Sequence, residues 1–374
     1  MNLIDILNQS NYDFYFLVVD QFLDIKLPQI KNFYSISSQF LNIKLDQKNS
    51  GRLLSHPKTI EFISQNSTKT GHQIAIIPFK PSAKIDLICQ KNNWLNIGNP
   101  SHLNRLLEDK IKFVQICQQN NIPTIPFSID QFTQENFSKY QQLYGSKIFV
   151  QTRFGWAGNS SFFSDSWDEI KNKIITGSPV KFSPLLSGYS LLNNCCLIKS
   201  ELIQSPPALQ YTGIKPFTQN PFTTVGRQWP CLAPDSIIEK IKSITQQFSQ
   251  IIQKMNYRGF FGLDFLVSGD QVFLLECNPR LTASFDFYTQ IEFKQNLNPL
   301  FLFHLIEFLD IDYQIDFPQE QNRFYNDQII GSEIVVKDSS NNTIKKYNDF
   351  IAFSSQTDPI IIPPQIIKAI DEKN

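Results

Sequence analysis

Gly259-Phe260-Phe261-Gly262-Leu263-Asp264-Phe265-Leu266-Val267-Ser268-Gly269-Asp270-Gln271-Val272-Phe273-Leu274-Leu275-Glu276-Cys277-Asn278-Pro279-Arg280 is the stretch on which the reading of this chain turns. Two apolar runs flank a Ser-Gly-Asp turn, the signature of a β-hairpin. Side chains alternate across a strand, so Glu276 and Asn278 share one face and Cys277 takes the other. The turn decides where Asp264 falls: an odd number of loop residues brings it to the face of Glu276, an even number to the reverse. A three-residue loop over 268–270 predicts the shared face. Two carboxylates and an amide oxygen then stand together on an apolar sheet, where they need a cation or a basic partner. An oxygen-only donor set suits Mg²⁺, which keeps several waters and is shared with substrate phosphates. The competing arrangement is an ion pair of Asp264 with Arg258 or Arg280 at a sheet edge.

Outward from the hairpin, 237–255 reads as an amphipathic helix and 300–309 as a core helix that carries His304 and Glu307. Strands are expected at 181–186, 191–198 and 206–211, broken at Gly188 and at Pro206-Pro207. The stretch 152–161 has turn composition and follows a strand at 148–151, which predicts a mobile loop. Residues 101–120 read as one periodic helix capped by Ser101, with Leu103, Leu106, Leu107, Ile111, Val114 and Cys117 on its apolar stripe and Lys110 in its middle beside Asp109. Short apolar runs at 12–19, 74–78, 85–89 and 94–97 predict the buried strands of a small parallel sheet. The tail from 311 holds a strand candidate at 329–336 and is expected to pack on the main body.

Composition narrows the function. The 34 Lys and Arg balance 34 Asp and Glu, so nothing draws the chain to nucleic acid, which is bound through clustered positive charge. No run approaches 18 uninterrupted apolar residues and the N-terminus has no basic segment before an apolar one, so no membrane span or secretory leader is expected. Six cysteines without Cys-x-x-Cys and four histidines without His-x-x-x-His speak against structural zinc and a disulfide framework. A reducing cytoplasm is the expected setting. Cys195-Cys196 reads as a strand pair with one thiol buried. The amide-, Ile-, Lys- and Phe-rich composition suggests an AT-rich, bacterial coding sequence.

The hairpin with Glu276-Cys277-Asn278-Pro279-Arg280 resembles the metal-binding hairpin of the ATP-grasp superfamily, in its carboxylate-amine ligase and biotin carboxylase-like branch. Further features fall in the same order. Asp109-Lys110 followed by Asn121-Ile122-Pro123 resembles the family's Asp-Lys helix and Ile-Pro exit. Residues 149–161 resemble its phosphate-covering strand and loop, and Lys181-Phe182-Ser183-Pro184-Leu185-Leu186-Ser187-Gly188 its adenine hinge. The resemblance spans roughly 74–310. It implies an α/β (α+β) chain: a small parallel N-terminal domain (1–100), a linker and first ATP-grasp subdomain (101–180), a second subdomain with antiparallel sheet and metal hairpin (181–310), and a C-terminal segment (311–374) packed on that body.

It also implies an ADP-forming ligase that activates a small carboxylate as an acyl phosphate for attack by an amine or similar nucleophile, with ATP and Mg²⁺ (or Mn²⁺) as cofactors and a homodimer as an option. Asp264, Glu276 and Asn278 are then the metal ligands, Lys110 a phosphate contact, and Arg280 the catalytic residue facing the transferred phosphoryl group. Gly155 and Gly158 let the loop's N–H groups approach phosphates, with Trp156 at its tip as a lid contact. The backbone at Ser183 and Leu185 holds the adenine edge. Residue by residue, the simpler roles stay open: a solvated helix charge for Lys110, turn glycines, and a structural partner for Arg280. Two positions depart from the family. Gln151 stands where the strand before the loop normally supplies a lysine, with Arg153 on the same face to compensate, and no acidic residue follows Gly188 to grip the ribose. The alternatives are therefore an ATP-binding protein without turnover and a biotin-carboxylase-like enzyme. Residues 206–229 line the acceptor site or form an irregular crossover.

Overall fold

Runs of Phe, Ile, Leu and Val near the N-terminus pair in parallel. The computed structural model describes residues 2–19, 23–47, 49–155, 158–215, 217–309, 311, 313–326, 329–338 and 343–349. Strands β1 (Tyr12–Val18), β2 (Phe33–Ser37), β3 (Gln73–Pro78) and β4 (Leu95–Asn96) form a parallel sheet in the order β2-β1-β3-β4. Both faces of β1 are buried: Phe14 and Phe16 on one side, Tyr15 and Leu17 on the other, as parallel strands covered on two sides require. The run at 85–89 is not a strand. It lies in the helix Ala83–Asn92, started by Ser82, whose hydroxyl accepts from the Ile85 N–H. Ile85 and Cys89 are the buried residues of this helix, four apart on one stripe, while Leu87 is exposed. So short an apolar run fits either period, and the cap decides.

A second, antiparallel sheet contains β5 (Ser128–Gln131), β6 (Ile148–Thr152), β7 (Ser161–Ser164) and β8 (Pro179–Pro184) in the order β5-β8-β6-β7. Ile148, Val150, Val180 and Phe182 pack with Phe137 and Tyr140 of the helix Gln134–Tyr144. The opposite face carries Phe149 beside Ser183 and Gln151 beside Lys181 in cross-strand register.

The largest sheet holds β9 (Tyr189–Ile198), β10 (Glu201–Gln204), β11 (Ala208–Thr212), β12 (Thr224–Trp229), β13 (Gly259–Ser268), β14 (Gln271–Asn278), β15 (Gly331–Asp338) and β16 (Thr343–Asp349). Its order is β14-β13-β9-β11-β12-β15-β16, with β10 on β9. The helix Asp235–Gln253 covers one face through Ile237, Ile241, Ile244, Phe248 and Ile252. Leu192, Cys196 and Phe260 on the other face join Phe285, Tyr288, Phe301 and the β1 residues Phe14 and Phe16 in one cluster, so the first and largest sheets share a core. Cys195 and Cys196 are both buried, one in each cluster, where a single buried thiol was expected: both faces of β9 are covered. Residues 359–364 of the tail lie outside the described residues.

The expected helix over 101–120 is two helices, Ser101–Glu108 and Lys110–Gln119, broken at Asp109. Asp109 has extended backbone, and its carboxylate accepts from the Ile111 and Lys112 N–H groups as the N-cap of the second helix. Lys110 therefore opens a helix instead of sitting mid-helix. Ser101 makes no cap; Pro100 precedes it without a side-chain bond.

The hairpin reaches the expected arrangement by a different route. Its strands close at Ser268 opposite Gln271, leaving a two-residue turn with Gly269 at φ +57°. Counted back from that turn, Asp264 would face Leu275. A bulge intervenes: Phe265 pairs with Leu274, and the next step pairs Asp264 with Glu276, so Leu275 is the extra residue. The even turn and the bulge together return the two carboxylates to one face. Deleting Leu275 removes the extra residue and keeps the Asp264–Glu276 pair; the expected cost in denaturant unfolding is under about 2 kcal/mol. Truncating the buried neighbour, Leu274→Ala, is expected to cost about 2–5 kcal/mol. A larger loss for the deletion than for the truncation would show that the bulge itself carries stability.

Candidate active site

The bulged hairpin places Asp264 beside Glu276 under a roof made by the helix Lys110–Gln119. Asp264 accepts from Gln210 Nε2 at 2.6 Å and from Asn278 Nδ2 at 2.8 Å. Glu276 accepts a very short bond from Lys110 Nζ. Burial, and then the charge of Glu276, push the Asp264 carboxyl up to about 7. Burial opposes ionisation of Glu276 too, yet the Lys110 ammonium beside it holds that carboxyl below its usual value. The two like charges stand together in a half-buried place, where Lys110 is the cation bonded directly to the pair.

Arg280 leaves the hairpin into a fixed cradle. Its Nε donates to Glu108 at 3.1 Å, one terminal nitrogen to the Leu281 carbonyl at 3.0 Å, and the other to Asn278 Oδ1 at 3.0 Å. The guanidinium carbon stands 5.4 Å from the Phe79 ring centre. Glu108 also binds Lys80 Nζ at 2.5 Å, just beyond β3. Arg258 is engaged elsewhere, over Phe308 and at the Glu307 carbonyl. Neither arginine forms the ion pair with Asp264 that the sequence left open.

The residues around the β6–β7 connection stand on or beside the second sheet. The Lys110 N–H donates to the Arg153 carbonyl at 2.9 Å, and the Arg153 guanidinium returns to Asp109, with Nε at 2.9 Å. Arg153 is thus spent on the helix cap, and Phe154 is held between it and Arg105. Gln151 donates to Ser161 Oγ at 3.0 Å across the β6–β7 pair. A Cβ on Gly155 would come within 2.2 Å of Ser160 Cβ, and Gly158, at φ +78°, would meet Phe222 at 2.9 Å, so both glycines are required by the loop's own packing. Phe222 packs edge-on against Phe149 and Phe163, fastening the loop's strands to the largest sheet. Trp156 lies outside the described residues. At the hinge, Ser183 is buried with its hydroxyl unpartnered, whereas Leu185 is 43% exposed.

Lys110 thus bonds Glu276, and Asp264, Asn278 and Arg280 form a second chain of hydrogen bonds beside them, while Ser183 lies on β8 of the second sheet and Gly155, Gly158 and Leu185 in the segments that follow β6 and β8. Sequence reasoning missed Gln210, Glu108 and the placement of Lys181. Lys181 is 7% exposed and directly opposite Gln151. Its signal was a lysine between the two buried apolar residues of Val180-Lys181-Phe182. Among the described residues no cluster of three or more His, Cys, Asp and Glu side chains forms a metal site. The two carboxylates fit Mg²⁺ or Mn²⁺, because such ions take waters and phosphate oxygens for their other positions; the Asn278 amide oxygen, which accepts from Arg280, would have to turn to join them.

Residues 107–284 match the family model described as an ATP-grasp domain. No curated protein matches the chain. Solved structures with the same fold include carboxyaminoimidazole ribonucleotide synthase from Aspergillus clavatus complexed with ATP, at 13% identity and TM-score 0.60 over 87% of this chain and 82% of that one. Phosphoribosylamine–glycine ligase from Thermotoga maritima matches at 15% identity and TM-score 0.55 over 88% and 82%. The biotin carboxylase domain of the Hydrogenobacter thermophilus 2-oxoglutarate carboxylase, in complex with ADP, its magnesium salt and bicarbonate, matches at 11% identity and TM-score 0.57 over 86% and 74%. At these identities the likeness is one of fold.

Asp264 must shed its proton to bind a divalent ion, and its carboxyl is pushed up to about 7. Affinity for Mg²⁺ alone is therefore expected to rise between pH 6 and pH 8, by up to about tenfold per pH unit below that value, with proton release on binding. Calorimetry in buffers of different ionisation enthalpy measures both. A flat profile would mean that Asp264 is not a ligand.

Proposed function

We propose, from the premise that this chain is built around an ATP-grasp domain, that it is an ADP-forming ligase joining a small carboxylate to an amine or similar nucleophile. The observation that carries this reading is the Asp264–Glu276 pair, set opposite one another on the hairpin beside Lys110 and Arg280. Asp264, Glu276 and Asn278 would hold Mg²⁺, which when bound neutralises charge on the phosphates. Lys110 faces the phosphate chain from the helix start. The backbone at Ser183 and Leu185 meets the adenine edge, and the Gly155 and Gly158 loop covers the phosphates.

The acid's carboxylate oxygen attacks the γ-phosphorus and ADP leaves; the nucleophile then attacks the carbonyl carbon of the acyl phosphate and inorganic phosphate leaves. In-line positioning and charge neutralisation dominate such a transfer. Arg280 presents a rigid fork of donors suited to the phosphoryl group in both steps. It stands beside Phe79 and Lys80, just past the C-terminal end of β3, the edge where open parallel sheets receive ligands. The acceptor substrates belong there. Bicarbonate in the Hydrogenobacter relative makes a one-carbon acid one candidate. Among the described residues no helix is long and apolar enough to cross a membrane. The reading places the ligase in a bacterial cytoplasm, acting on small molecules without nucleic acid, with a homodimer as its candidate assembly.

A second reading, ATP binding without turnover, is favoured by Gln151, which brings no charge, and by Arg153, whose guanidinium is taken by Asp109. The two separate on ADP release from MgATP across a panel of small acids, with and without amines. A ligase releases ADP only with its acid, and Glu276→Gln is expected to cut the rate about 100-fold or more. Melting shifts with MgATP but no ADP from any acid would favour the second reading. No shift at all would remove both.

A further inference from the structure

Lys181 is buried on β8 with no hydrogen-bond acceptor or carboxylate paired to its ammonium among the described residues. The charged side chains bearing on it are Lys110, which repels it, and Glu276, which is already engaged by Lys110. Burying an unpaired cation beside a second one is costly, and a fold keeps such an arrangement only where something offsets it. Burial first, and Lys110 second, pull the Lys181 ammonium down to about 7. The Ser183 hydroxyl, two residues along the same face, is also buried and unpartnered. A cation and a hydroxyl that satisfy no protein group thus line the second sheet, across from Lys110.

We propose that Lys181 is a phosphate-binding residue of this cleft, supplying from β8 the positive charge that Gln151 cannot supply from β6. The inference rests on the reading of the cleft as a nucleotide site. A phosphate chain reaching Lys181 neutralises it, which no group of the protein does, and shares Lys110 with Glu276. The cross-strand register explains why the position serves: Gln151 and Lys181 are direct neighbours on one face, and such side chains begin only about 5 Å apart. Gln151 is turned to Ser161 and leaves that space to the longer lysine.

The test compares the wild type with Lys181→Met and with the exchange Gln151→Lys/Lys181→Gln, using full-length protein, MgATP, MgADP and adenosine in calorimetry and thermal unfolding. Lys181→Met is expected to weaken ATP and ADP about 10- to 100-fold, leave adenosine within about twofold, and raise the melting temperature without ligand, because an unpaired buried charge is gone. The exchange is expected to recover at least half of the lost affinity on a logarithmic scale. Unchanged ATP affinity in Lys181→Met, a lowered ligand-free melting temperature, or a folded exchange variant as weak as Lys181→Met would overturn the proposal and leave Lys181 a structural residue. Failure of the wild type to bind ATP or adenosine would instead bring down the nucleotide reading, and the proposal with it.

Discussion

Two half-buried carboxylates facing each other on adjacent strands repel unless positive charge is brought to them, and the architecture around Asp264 and Glu276 is organised by that need. The bulge at Leu275 creates the pair. The break at Asp109 starts a helix whose first residue, Lys110, reaches Glu276. Gln210, from β11, and Asn278 occupy the Asp264 oxygens with donors. Each is a local irregularity or a polar residue inside an otherwise apolar frame, and each costs stability on its own. Together they bring two carboxylates, a lysine and two amides to one place.

Much of the frame was legible because it follows periodicity. Continuous apolar runs placed β1, β3 and β9, the hairpin pattern placed β13 and β14, and the helix Asp235–Gln253 announced itself through a long amphipathic stripe. What escaped depends on single residues or on distant pairing. The apolar spacing runs unbroken across 109, from Leu107 to Ile111, so nothing in the hydrophobic pattern marks the break; only the capping geometry of Asp109 does. The bulge has no compositional signature, and a leucine pair at 274–275 reads as ordinary strand. Lys181 was seen as part of a hinge, and its meaning comes from sharing a rung with Gln151, a register fixed by tertiary structure. The site's chemistry could be read along the chain, whereas its geometry could not.

The shared core explains why the N-terminal sheet matters to a site built mostly on the largest one. Phe16 packs edge-on against Phe285 and Phe301, and Asn99 exchanges two hydrogen bonds with the backbone of Arg258 at the foot of β13. These contacts fix the end of β3, with Phe79 and Lys80, against Arg280.

Glu108 and Asp109 are consecutive, yet they bind Lys80 beyond β3, Arg280 beyond β14 and Arg153 beyond β6. One kinked peptide therefore ties the exits of strands from all three sheets. Three strand exits that are far apart in the sequence are thereby held at one point by charge. Displacement of any one sheet is therefore felt by the other two through a single peptide.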